Sequence, residues 1–168
     1  MVDIKFRVQA YSTERPARLL LIRQPAPIRW RLAGTDFSPG SRVALDFAAS
    51  VARDRQGSLL VVHVKDLLAS SRDTGPLYPD DLVPDDELQQ QLQNFAPDSL
   101  GIPITRLLLE GDPADTICEL AEKEGAALIV MGTHGRRGIL RLLMGSVAEL
   151  VVRRGRCPVL VVKQGETP

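Results

Sequence analysis

Short apolar runs alternate along this chain with longer stretches whose apolar residues recur every three or four positions. An apolar run of four to eight residues describes a strand buried on both faces, and the longer period describes a helix with one buried side. Strands are predicted at Ile28 to Gly34, Leu59 to Val64, Ile102 to Leu109, Leu128 to Met131 and Pro158 to Val162. The first helix opens at Ser38, a good N-cap, with Pro39 in the first helical position; Val43, Ala44, Phe47, Ala48, Val51 and Ala52 form its apolar side and Gly57 ends it. A second helix runs from about Asp85 to Phe95 and stops before Pro97. A third is capped by Asp112, carries Ile117, Cys118, Leu120 and Ala121, and ends at Gly125; a fourth covers Val147 to Arg154. Strands alternating with helices predict an α/β fold: one open parallel sheet with helices on both faces.

Two stretches fit this alternation poorly. In residues 1–27, Ile4, Phe6, Val8 and Ala10 alternate with Lys5, Arg7 and Gln9, the period of a half-buried strand, and Arg18 to Arg23 offers it a partner. This segment reads either as a β-hairpin or as a basic, loosely ordered tail, an N-terminal extension to a domain over residues 28–165. Residues 66–100 are rich in Ser, Asp, Gly and Pro, and read as a solvated loop or a lid, followed by helix-start carboxylates. A third irregularity is Arg29 and Arg31, which share one face of the first core strand. A buried guanidinium costs several kcal/mol unless paired, so that face is either exposed or covered by the N-terminal segment or an acidic neighbour.

The candidate chemistry follows Leu128–Met131. Gly132-Thr133-His134-Gly135-Arg136-Arg137 leads to Gly145-Ser146 at the start of the fourth helix. Glycine lets the backbone turn sharply and approach a ligand, and a helix N-terminus with unpaired N–H groups favours an anion. The spacing excludes a Walker A loop, which needs a lysine, and the dinucleotide fingerprint, which needs Gly-x-Gly. Ser146 and Glu149 also form S-x-x-E, a capping box that accounts for both residues with no ligand.

The pattern Gly132-x2-Gly135-x9-Gly145-Ser146, with Val147-Ala148-Glu149 and Cys157-Pro-Val-Leu-Val-Val-Lys163 after it, resembles the nucleotide-binding signature of the universal stress protein family in its ATP-binding branch. Thr35-Asp36-x-Ser38 after the first core strand is similar to the opening of that family. The resemblance implies a sheet in the order 3-2-1-4-5 and a site for ATP, ADP or AMP. It places Thr35, Asp36 and the backbone of Val64 at the adenosine. Met131, Gly132, Thr133, Gly135, Arg136, Gly145, Ser146 and Val147 complete the site, with the loop after Gly135 and the Gly145-Ser146 turn serving mainly the outer phosphates, which would hold any Mg2+ or Mn2+. Ala148 stands where some ATP-binding relatives carry a hydroxyl. The resemblance further implies a homodimer paired through Val159–Val162.

Composition narrows the classes. Net charge is zero and aromatics are 4% of 168 residues, which suggests neither a nucleic-acid partner nor an anionic membrane. Leu19–Ile22 is too short for a signal-peptide core, and Cys118 and Cys157 read as small core residues, so the expected setting is the reducing cytoplasm. His63 reads as a core or strand-end histidine. No nucleophile with an orienting carboxylate stands near the loop, so no catalytic residue is assigned. A stress-response regulator biased by nucleotide, a slow ATPase or nucleotide-alpha-hydrolase-type enzyme, and a dimeric scaffold without nucleotide all remain open.

Overall fold

The computed structural model describes residues 30–66, 83–133 and 144–163, and the backbone of residues 6–8 and 21–23. Near the N-terminus, β1 (Phe6–Val8) and β2 (Leu21–Arg23) pair antiparallel, with Phe6 opposite Arg23 and Val8 opposite Leu21. This is the hairpin, one of the two readings left open for the segment.

The rest alternates as predicted. The elements are β3 (Trp30–Gly34), α1 (Pro39–Asp54), β4 (Ser58–Lys65), α2 (Asp85–Phe95), β5 (Ile104–Glu110), α3 (Pro113–Lys123), β6 (Leu128–Gly132), α4 (Ser146–Arg154) and β7 (Val159–Val162). The five strands β3 to β7 form one parallel sheet in the order β5-β4-β3-β6-β7, which is 3-2-1-4-5 in core-strand numbering. The chain leaves β3 toward β4 and β5, then returns to its other side for β6 and β7. The crevice beyond the C-terminal ends of β3 and β6 is therefore the topological switch point, where open α/β sheets bind ligands.

Strand alternation divides the core in two. Leu32, Leu60, Val62, Ile129 and Met131 pack against Ile117, Leu120 and Ala121 of α3 and Val151 of α4. Ala33, Leu59, Val61 and Val130 pack on the other face against Ala44, Leu45, Ala48 and Ala49 of α1 and Leu92 and Phe95 of α2. Each large aliphatic side chain buried this way contributes about 1.5–3 kcal/mol, which makes the layers, more than helix propensity, the source of stability.

Two sequence expectations need correction, and one alternative left open is decided. Phe47 does not join the core: α1 is turned so that Leu45 and Ala49 enter the sheet, and Phe47 stays 44% exposed. Gly57 does not provide the left-handed turn after α1; Gln56 does, at φ 50, while the Gly57 N–H reaches back to Ala52 O at 2.8 Å. Arg31 is not on an exposed face. It is 1% exposed, between Leu59 and Leu128 in the strand register, and burial together with the Arg55 guanidinium lowers its pKa from the ordinary arginine value. Arg29 and residues 67–82, part of the 66–100 stretch read as a loop or lid, lie outside the described residues.

Candidate functional site

The β3 end of the crevice is a turn held by its own side chains. Thr35 N–H donates to Val62 O at 2.9 Å, the last ladder bond between β3 and β4. Thr35 Oγ1 then accepts from Phe37 N–H at 2.9 Å and lies 3.1 Å from Ser41 Oγ. Asp36 Oδ1 accepts from Ser38 N–H at 3.1 Å, and Ser38 caps α1 through Ser41 N–H at 3.2 Å. Asp36 thus caps the turn, as expected of it without a ligand.

Phe37 adopts φ 63, a left-handed conformation that costs an ordinary residue about 1–2 kcal/mol. Its ring is 4.4 Å from that of His63 and meets Phe95 edge-on at 5.7 Å. His63, 2% exposed, places Nδ1 2.8 Å from Thr35 O. Beside Phe37, Arg42 lies 4.0 Å over the Phe95 ring and donates to Phe95 O. Sequence reasoning treated His63 as core, which its burial bears out, and passed over Phe37. A single imidazole in an otherwise apolar strand was the signal that connects them.

Val64 is half-buried, and its side chain packs on the α3–α4 face. In a parallel ladder alternate residues direct N–H and C=O to the same neighbour. Leu59 and Lys65 bond toward β5 and Val62 toward β3, so the backbone of Val64 is directed to the β3 side, past the last ladder bond.

On the β6 side, Met131 is buried in the α3–α4 core, so only its backbone borders the crevice. Gly132 has a packing reason to be glycine. A Cβ there would stand 2.7 Å from the carbonyl carbon of Gly40 and 3.0 Å from Ser41 N, inside the first turn of α1. Thr133, 9% exposed, donates its N–H to Val162 O at 3.0 Å and accepts the Gly145 N–H at 2.6 Å. This last bond brings the start of α4 to the end of β6. Gly135 and Arg136 lie outside the described residues, as do His134, Arg137 and Arg141.

The capping box does not form. Gly145 is the N-cap of α4, Ser146 is its exposed first residue, and no side chain among the described residues caps the helix. Glu149 N–H bonds to Gly145 O at 2.9 Å as an ordinary helical turn. The Ser146 hydroxyl and the first N–H groups, including that of half-buried Val147, are therefore not committed to a box. Gly145 has φ −70 and ψ 153, an extended conformation open to any residue, so backbone angle does not explain the glycine.

A model of the Universal stress protein family matches residues 31–163. Universal stress protein YxiE of Bacillus subtilis is 30% identical over 145 residues, 79% of this chain and 97% of that one. Universal stress protein MJ0531 of Methanocaldococcus jannaschii is 56% identical over 64 residues, but that match spans only 38% of either chain. Among solved structures, MJ0577 of the same organism aligns with a TM-score of 0.69 at 26% identity, covering 84% of this chain and 99% of that one. A universal stress protein in complex with cAMP aligns at 25% identity and TM-score 0.61 (81% and 97% covered). The Archaeoglobus fulgidus protein in complex with dAMP aligns at 25% identity and TM-score 0.56 (80% and 96% covered).

Proposed function

The chain belongs to the universal stress protein family, and from that premise we propose that it is an adenine-nucleotide-binding regulatory protein of the stress response. The observation that carries the reading is the 2.6 Å bond from Gly145 N–H to Thr133 O. It sets the start of α4, with no side-chain cap among the described residues, at the switch point that also holds Asp36 and the backbone of Val64. Phosphate oxygens would meet the N–H groups of Ser146 and Val147 and the Ser146 hydroxyl. Such charge-assisted bonds contribute about 1.5–3 kcal/mol each. Adenosine would lie toward Thr35, Asp36 and Val64. The dAMP and cAMP bound by the two relatives support this ligand class. ATP is the expected ligand of the full Gly132–Ser146 pattern, with AMP and ADP as shorter forms. Any Mg2+ or Mn2+ would arrive on the phosphates and needs no protein cluster.

We place the protein in the cytoplasm as a homodimer. Among the described residues no helix is long and apolar enough to cross a membrane. In the sheet order β7 stands at an end, and Val159 to Val162 are all half-buried. An apolar edge of this kind invites pairing with a second copy.

Thermal melting with added nucleotide tests the ligand. At a concentration near 100 times the dissociation constant, binding adds about 2.7 kcal/mol. For a chain of this size that raises the melting midpoint by about 5–11 °C. No shift with millimolar ATP, ADP or AMP would overturn the reading.

A further inference from the structure

The turn that carries Asp36 is not held by hydrogen bonds to its own residues alone. His63 enters it from β4, on the same sheet face as Leu59 and Val61 by strand alternation. A carbonyl oxygen only accepts, so the 2.8 Å contact with Thr35 O fixes the ring proton on Nδ1. The same imidazole lies 4.4 Å from the Phe37 ring, and Phe37 is the residue at φ 63. Thr35 and Phe37 are the two neighbours of Asp36. One buried side chain therefore grips the chain on both sides of it, by a hydrogen bond before and a ring contact after.

Resting on the nucleotide-binding reading, we propose that His63 is a positioning residue of this site: through Thr35 O and the Phe37 ring it sets the place of Asp36 and so the affinity for the adenosine part of the ligand. A leucine or valine in its place would fill the core but would release the Thr35 carbonyl and let Phe37 relax from its left-handed angle. The phosphate end is built on β6 and α4, and β3 stands between β6 and the strand that carries His63. The effect should therefore fall on adenosine recognition and leave the additional gain from the phosphates unchanged.

Calorimetric titration of adenosine and ATP, scaled to folded protein, tests this with His63→Phe and His63→Asn. Phenylalanine keeps a ring and loses the donor; asparagine keeps a donor at the position of Nδ1. His63→Phe should bind adenosine about tenfold more weakly, the effect of one lost hydrogen bond. ATP should weaken by the same factor, so the ratio of the two affinities stays constant, and His63→Asn should recover most of the loss. A His63→Phe protein that binds adenosine like the unmodified one, or an asparagine variant as weak as the phenylalanine one, overturns the role. Should His63→Phe fail to fold, Phe37→Leu removes the ring contact from the half-exposed side, and unchanged adenosine affinity there overturns it equally. If the unmodified protein binds neither adenosine nor ATP, the nucleotide site itself falls and this role with it. If only the variants match the unmodified protein, this inference falls alone.

Discussion

Gly132→Ala separates packing from ligand binding in the glycine loop. The added methyl would stand 2.7 Å from Gly40 C and 2.9 Å from Gly40 O, where ordinary contact begins at 3.4 Å. Either α1 or β6 must move by about 0.7 Å, the difference between those distances, and both are backbone wedged in the core. Overpacking of this kind typically costs about 1–3 kcal/mol, and replacing glycine returns about 0.4–1 kcal/mol through the unfolded chain. The net loss of about 1–2 kcal/mol lowers the melting midpoint by about 2–8 °C at 2–4 °C per kcal/mol. Gly34→Ala on the neighbouring strand is the control, since its nearest obstacle is the tip of Ile117 at 3.2 Å, a side chain able to give way. Circular dichroism melts without nucleotide should place Gly132→Ala clearly below Gly34→Ala. Equal midpoints would show that the contact with α1 does not determine the glycine, and that its role belongs to the ligand.

Further outcomes are expected. Gly145→Val, at an angle that valine accepts, should melt nearly as the unmodified protein yet lose ATP affinity far more than adenosine affinity; equal losses in titration would reverse the proposed ligand orientation. Val161→Lys, at a β7 position belonging to neither buried cluster, should shift light scattering from dimer toward monomer, and a monomeric unmodified protein would refute the assembly. Burial raises the pKa of Cys118 and Cys157, so alkylation near pH 8 should be slower than in urea-unfolded protein. Because both thiols ionise later in the folded state, their contribution to stability is present below the ordinary thiol range and declines as pH rises through it, which melts at increasing pH would detect.

What the sequence made legible is local. The Ser38 and Asp112 caps, each followed by proline, appear as predicted, and so does the left-handed Gly125 after α3. The strand order came through the resemblance, since apolar runs carry no information about neighbours. What stayed hidden depends on contacts distant in the chain. S-x-x-E looks like a capping box until the bond to Thr133 makes Gly145 the cap and moves Ser146 one place into the helix. Gly132 looks like a loop glycine until α1 is laid against it. His63 gains its significance only when the turn after β3 folds over β4.

The bond from Gly145 to Thr133 also bears on how this protein can vary. The chain between those residues starts and finishes at one point, so its length is nearly independent of the rest of the architecture. Closing a loop twice as long costs only about 0.6 kcal/mol more. Insertions or deletions between residues 134 and 143 should thus leave the sheet untouched, while the two anchoring positions tolerate little. The length of that segment is then free to drift, with the fold as a fixed mount.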